Sequence, residues 1–447
     1  MDKRFFVSYP AIKHPLANEK TELKMKYLCL IEYFRMQICP EDVIVQARVE
    51  RFKKDFLAED GCNNQYVEVA MKEIMKTRFT PFRFFSYRYV FLFDCVYLLS
   101  IDSFEYAEQI GNLLKGNLNQ RYHKKIDFII EKMCANPLEL SVIPLITNEM
   151  IKSLIKAQGF IKSEIKSVVF TATMSAGKST LINAIVGHEL SYTKKAACTA
   201  TIMEFYSSPV YYPRYNVYDV NGEKMNLTYQ EVRKISEGRI IPLNVSGYFN
   251  SRISAKKFRL VDTPGVNSFL NPAHKQITRD ELLNGEHDAI VYVIPVENYG
   301  SEDDYIHLSF IRKKVKYKNI VFVVNMMDSC DFEDDSVEEI IDNITKHLIE
   351  IGYSEPVVCP LSAKAGLLFK KALSYAELTP NDIRELNAFI NKYEDEVYDL
   401  SPCYNVTGND DFCNEEFPCT ELNYERLQEL YLKTGLPQFE SILLNMK

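Results

Sequence analysis

The chain has 447 residues, 47% hydrophobic and 26% charged, an ordinary globular composition that excludes global disorder and is long enough for two or three domains. With 53 basic against 61 acidic residues the net charge is −8, so nucleic acid is not the expected partner, because such binders need a basic field to displace counterions. No run approaches the about 18 uninterrupted apolar residues of a membrane span, and the start, Met1-Asp-Lys-Arg-Phe-Phe6, opens no apolar signal core, so secretion is not expected.

Residues 1–148 read as an all-α N-terminal domain of unassigned role. Helical spacing runs through Glu22–Met36, Tyr66–Lys76, Tyr87–Leu99 and Phe104–Leu114, with Pro40, Pro81 and Pro137 as punctuation. The strongest apolar run, Tyr89–Leu99, is broken by Asp94 and reads as a buried helix. The aromatic segment Phe79–Phe93 admits a ligand-binding reading, but rings at helical spacing usually build cores, and core is the reading preferred here.

The pattern changes at Glu149, where a second domain, 149–447, is expected to begin. An amphipathic helix, Met150–Lys162, leads into a strand-like run at Ser167–Phe170. Apolar runs follow at Phe258–Val261, Ala289–Ile294, Ile320–Val324 and Val357–Pro360, with helical stretches between most of them. That alternation predicts an α/β fold with a mostly parallel sheet. Residues 400–421, rich in Pro, Asn, Asp and Cys, read as a loop-rich insertion. Eleven cysteines are scattered without any C-x-x-C pair, which fits reduced thiols in a cytoplasmic protein. Cys403, Cys413 and Cys419 have irregular spacing and no nearby histidine, and a metal site there is not expected.

The chemistry begins after the first strand of this domain. Ala172-Thr-Met-Ser-Ala-Gly-Lys-Ser179 fits [AG]-x-x-x-x-G-K-[ST] in a strand–loop–helix setting, with the helix at Leu181–Val186. A tight loop turns backbone N–H groups inward as an anion nest, and the next helix adds the positive end of its dipole. Ala176, Gly177, Lys178, Ser179 and Thr180 are therefore the expected phosphate contacts. Gly177 allows close approach, Lys178 places a cation on the β and γ phosphates, and Ser179 offers a hydroxyl to Mg2+. Alone, this pattern also describes a capped helix start. A second element, Phe258-Arg-Leu-Val-Asp-Thr-Pro-Gly265, supports the nucleotide reading. Its Asp262 can hold Mg2+ through water, and the Gly265 N–H can meet a γ-phosphate.

A later strand ends in Asn325-Met-Met-Asp328, an N-x-x-D motif. The Asp328 carboxylate can accept from both N1–H and N2–H2 of guanine, a pair that adenine lacks. Most GTPases place lysine second in this motif, its stem over the ring; Met326 stands there in this chain. The last strand leads to Leu361-Ser-Ala-Lys364, where Ser362, Ala363 and Lys364 are expected beside the base, with the Ala363 N–H toward guanine O6.

These elements resemble the dynamin superfamily, particularly its bacterial branch. The resemblance rests on Met174–Gly187, Cys198-Thr-Ala-Thr-Ile202, Asp262–Gly265, Val324–Asp328 and the closing Tyr431–Glu440. It covers about residues 149–447 and implies a P-loop GTPase domain that hydrolyses GTP to GDP with Mg2+. It implies further that Thr199 caps the magnesium, joining Ser179 and Asp262 as metal ligands, and positions water. Ser175 would help orient a monovalent cation, K+ or Na+, and the attacking water. Lys178, Gly265, Ser175 and Thr199 are thus the expected catalytic set. No arginine sits in the phosphate loop and Val266-Asn267 follow Gly265, so charge compensation must come from elsewhere, and the resemblance implies a homodimer paired across the nucleotide faces as its source. Asp303 or Asp304 would contact the partner, or merely begin the helix Tyr305–Arg312. A peripheral membrane association fits the family, although the long stalk and lipid-binding tip of membrane-remodelling members are not read here. Two rival functions are a GTP-gated interaction module with little hydrolysis and a ribosome-associated GTPase, the latter disfavoured by the acidic balance.

Overall fold

A computed structural model describes residues 2–9, 14–57, 83–191, 201–210, 214–237, 241–266, 273–315, 319–332, 336–374, 378–404 and 423–446. The chain divides into two compact units, Met1–Glu164 with Ser208–Tyr212, and Ile165–Ser207 with Pro213–Lys447. The helix at Asn148–Lys162 belongs to the first unit. The expected Tyr66–Lys76 helix, Thr199, Cys413, Cys419 and residues 405–421 of the expected insertion lie outside the described residues.

In the first unit, helices α1 (Thr21–Ile38), α2 (Val43–Leu57), α3 (Arg88–Ser100), α4 (Ala107–Gly116), α5 (His123–Ala135) and α6 (Asn148–Lys162) surround a core rich in rings. Every residue of α3 except Arg88 is buried, the signature of a helix packed on all sides. The described aromatics of its first turns, Tyr89, Phe91 and Phe93, are core. Asp94 can interrupt that run because its carboxylate is satisfied. Tyr9 Oη donates to Oδ1 at 2.7 Å, Tyr27 Oη donates to Oδ2, and His14 Nε2 lies 2.9 Å from Oδ2. Arg48 is likewise buried with its guanidinium on Val7 O, Leu98 O and Asp102.

The second unit is a nine-stranded sheet in the order β4-β3-β5-β2-β6-β1-β7-β8-β9. Its strands are β1 (Ile165–Ala172), β2 (Met203–Ser208), β3 (Tyr215–Asp219), β4 (Gly222–Leu227), β5 (Leu243–Tyr248), β6 (Lys257–Asp262), β7 (Ala289–Pro295), β8 (Asn319–Asn325) and β9 (Val357–Pro360). The helices, in chain order, are α7 (Lys178–Val186), α8 (Tyr229–Ser236), α9 (Ala273–Asn284), α10 (Glu302–Lys314), α11 (Val337–Ile351), α12 (Ala363–Leu373), α13 (Pro380–Tyr393), α14 (Asn423–Lys433) and α15 (Leu436–Asn445). β6, β1, β7, β8 and β9 pair in parallel, while β2 joins β6 antiparallel and β3 pairs antiparallel with both β4 and β5. The parallel half follows the expected apolar runs. Strands β2 to β5 were not expected, because these short segments hold no continuous apolar run, as in Leu243-Asn-Val-Ser-Gly-Tyr248. Two buried layers clothe the sheet. Ile182, Ile185, Phe205, Leu260, Phe369 and Phe439 pack in one, and Val169, Ile290, Tyr292, Phe322, Ile344 and Leu348 in the other.

Candidate functional site

The C-terminal ends of β1, β6, β8 and β9 bring all the described motif residues to one edge of the sheet, where ligands of open α/β folds bind. β1 gives way at Thr173 to a loop that turns through Ser175 at φ 65° and Gly177 at φ 80° before α7 starts at Lys178. Gly177 is required twice over. Its left-handed backbone disfavours a side chain, and a Cβ would lie 2.3 Å from Asn325 Nδ2. Ser175 is exposed at the loop's tip, whereas Ala176 is buried beneath it.

Lys178 and Asp262 are both buried, and Lys178 Nζ donates to Asp262 Oδ1. The other carboxylate oxygen accepts from Ser179 Oγ at 2.9 Å and from Ser191 Oγ at 3.0 Å. Ser191 is held there by Asn183 of α7, whose side chain bonds the backbone of Leu190 and Ser191. Nothing in the local sequence marked Ser191. The carboxylate and the Ser179 hydroxyl form the hard-oxygen pair that Mg2+ takes, so the residues present fit that ion. Thr199, the third expected ligand, lies outside the described residues. Thr180 is half-buried in the first turn of α7.

The D-T-P-G segment zips onto β1. Thr263 Oγ1 donates to Phe170 O at 2.7 Å, and Val266 N donates to Ala172 O at 3.3 Å. Gly265 then faces the phosphate loop, where a Cβ would meet Met174 Cα at 3.3 Å. The two motifs are therefore in direct contact.

Asn325 links the loop to the third motif. Its Nδ2 donates to Ala176 O at 3.0 Å and its Oδ1 accepts from Ala363 N at 3.0 Å. Both ends of this buried amide are thus engaged inside the protein, and the Ala363 N–H expected at guanine O6 is directed to Asn325. Met326 follows at φ 69°, its Cε 3.3 Å from where a Gly177 Cβ would stand. Asp328 is half-buried, and Ser362 Oγ donates to its Oδ1. Ser362 also caps α12 through Ala365 N. Lys364 turns away to pair with Glu385 at 2.9 Å on the surface.

Of the two candidate partner contacts, Asp304 needs correcting. It is 1% exposed, and its Oδ1 accepts from Tyr292 Oη at 2.8 Å and Thr173 Oγ1 at 3.1 Å. It braces the base of the phosphate loop from α10, and burial raises its pKa above the usual carboxylate range. Asp303 is exposed. Beside Asp304, His307 Nε2 lies 2.9 Å from Thr171 Oγ1, and burial, aided by Arg279 and Lys275, lowers the imidazole to about 3. Among the described residues no cluster of His, Cys, Asp and Glu could by itself hold a metal, and no helix is long and apolar enough to cross a membrane.

Residues 168–327 match the family model of the dynamin family. An uncharacterized protein in the xynA 3' region of Caldicellulosiruptor sp. (strain Rt8B.4) is 26% identical over 317 residues, covering 67% of this chain and 76% of that protein. Sulfate adenylyltransferase subunit 1 of Aliarcobacter butzleri (strain RM4018) is 33% identical over 113 residues, 25% of this chain and 22% of that one. Among solved structures, a member of an oligomerised bacterial dynamin pair, described as a mechanism for long-range sensing and tethering of membranes, aligns with a TM-score of 0.37 and 14% identity, covering 87% of this chain and 58% of that chain.

Proposed function

We propose that this chain, whose residues 168–327 form a dynamin-family GTPase domain, binds guanine nucleotide with Mg2+ and hydrolyses GTP to GDP and phosphate. One observation carries the reading: Lys178, Ser179 and Asp262 meet in a buried knot, 2.9 Å between the hydroxyl and carboxylate oxygens, at the start of α7. A cation so placed exchanges Asp262 for the β and γ phosphate oxygens when nucleotide arrives. The carboxylate and the Ser179 hydroxyl would then hold Mg2+, Asp262 through water, with Thr199 as the further ligand that the family implies. When bound, Mg2+ neutralises charge on the transferring phosphate.

Water attacks the γ-phosphorus in line, and the bond to the β–γ bridging oxygen breaks. The proton of the attacking water ends on the phosphate product. Gly265, lying against Met174, offers its N–H to the γ-phosphate. Ser175 and Thr199 would orient the water, and Ser175 would help hold the K+ or Na+ that the family implies. Asp328 reads the base through both carboxylate oxygens, and Met326 lies over the ring. Pairing of two such domains across this face supplies the remaining charge compensation, and the exposed Asp303 is the acidic residue available to that contact.

The test is multiple-turnover phosphate release at several protein concentrations, with nucleotide competition. GTP is expected to outcompete ATP by about a hundredfold or more, since adenine leaves the carboxylate facing an acceptor. Turnover per molecule is expected to rise with concentration. Equal competition by ATP would refute the base assignment, and flat specific activity would refute pairing. Binding of GTP without phosphate release under any of these conditions would leave a GTP-gated interaction module instead.

A further inference from the structure

The turn that carries Asp328 is disfavoured locally. Met326 precedes it in the left-handed region at φ 69° and ψ 29°, a conformation that side-chain-bearing residues adopt only when their surroundings impose it. Within the turn, only Ser329 closes back on Met326 with short bonds, 2.9 Å from its N and 2.8 Å from its Oγ to Met326 O. The outside contacts are the Met327 N–H, which donates to Leu361 O at 3.4 Å, and those from the end of α13 and the segment just after it. Lys392 Nζ donates to the main-chain oxygen of Asp328 at 2.6 Å. Its ammonium is seated 4.4 Å from the centre of the Tyr398 ring. The Tyr398 hydroxyl donates in turn to Cys330 O at 3.3 Å. Asp328 is therefore gripped at both ends, its side chain by Ser362 and its backbone by Lys392.

We infer that Lys392 is a specificity-determining positioning residue for the base site, supplying from α13 the cation that the N-x-x-D motif lacks at Met326. The inference rests on the reading of Asp328 as the guanine-binding carboxylate. A lysine inside the motif would sit beside the base as part of the strand end. Here the ammonium is brought in from 64 positions away in the chain and fixes the turn by a charge-assisted bond to a carbonyl. The aromatic seat keeps the flexible lysine stem in one place, so the bond forms without ordering a free side chain on nucleotide binding. A carboxylate that must accept two hydrogen bonds from one base edge loses both when its turn rotates. Base recognition is thus the property most exposed to loss of this contact, while the phosphate loop is also held by Asp304 at Thr173 and by its continuity with β1, neither of which Lys392 touches.

The experiment compares the full chain with Lys392→Met and Lys392→Arg by calorimetric titration with Mg-GDP and, separately, Mg-tripolyphosphate, which reports the phosphate loop alone. Lys392→Met keeps the stem over Tyr398 and removes the donor. It is expected to weaken GDP about tenfold, the worth of one charge-assisted hydrogen bond, with tripolyphosphate affinity unchanged. Lys392→Arg, which retains donor and ring contact, is expected to stay within about threefold of the parent. Parental GDP affinity in Lys392→Met, an equal loss of both ligands, or an Arg variant no better than Met would each overturn the inference. Asp328→Asn separates this from the underlying reading. If it moves preference to xanthosine diphosphate while Lys392→Met behaves as parent, only the role of Lys392 fails. If it changes no base preference, the base assignment itself fails.

Discussion

Replacing Lys178 by alanine is expected to do more than remove a phosphate contact, because in this structure its ammonium is the charge partner of a carboxylate that is 0% exposed. Breaking a buried pair from one side costs about 3–5 kcal/mol. The Ser179 and Ser191 hydroxyls remain on Asp262 at 2.9 and 3.0 Å, which places the cost at the low end, about 3 kcal/mol. For a unit of this size that corresponds to a fall in Tm of about 5 °C. The assay is a nucleotide-free calorimetric melt, following the transition of the unit that holds the site, together with GDP titration. Lys178→Ala is expected to lose both stability and tight binding. Adding Asp262→Asn, which removes the stranded charge at nearly constant shape, is expected to recover most of the Tm and none of the affinity. Equal melting of parent and Lys178→Ala would refute the buried pair as a stabilising contact, and undiminished GDP affinity would refute the phosphate assignment.

Three further outcomes are expected. Thr199→Ala lowers turnover far more than it weakens GTP binding, because its family-implied contacts tighten in the transition state; parallel losses in kcat and affinity would make it a ground-state ligand. Asp304 has a raised pKa in the folded state, so its ionisation opposes folding, and its contribution is fully present below its ordinary value of 3.8 and lost as pH rises. The melting temperature of Asp304→Asn relative to the parent should therefore climb as pH rises above the ordinary value of 3.8, and a pH-independent difference would refute this. Lys370 and Glu440 are both fully buried, burial lowering the pKa of the one and raising that of the other, and Lys370 Nζ also holds Ala184 O at 2.8 Å. Lys370→Met alone should cost about 3–5 kcal/mol in denaturant unfolding, and Lys370→Met with Glu440→Leu should recover most of it.

What was legible in the sequence was the part in which local pattern and tertiary role coincide. The parallel strands β1, β6, β7, β8 and β9 are apolar because both faces are covered, and each motif follows a strand end as the fold requires. Strands β2 to β5 escaped notice because half of their residues are polar and β4 lies at the sheet edge with Gly222, Glu223 and Lys224 exposed. Within the site, spacing singled out Lys178, Ser179, Asp262, Gly265 and Asp328. It could not disclose that Asn325 is engaged at both ends, or that Asp304 faces inward. Nor could spacing find Ser191, Lys392 or Tyr398, whose contacts with Asp262, Asp328 and Cys330 join segments about 60 to 70 positions apart. A lysine at the end of a helix reads as a solvated charge until the fold supplies its neighbour.

The amide of Asn325 makes the two halves of the pocket a single thermodynamic object. One side chain holds the carbonyl of Ala176 and the N–H of Ala363, so ordering either the triphosphate end or the base end also restrains the other. Guanosine and tripolyphosphate, offered as separate molecules, should therefore bind with positive cooperativity, and linkage requires each to improve the other's affinity by the same factor.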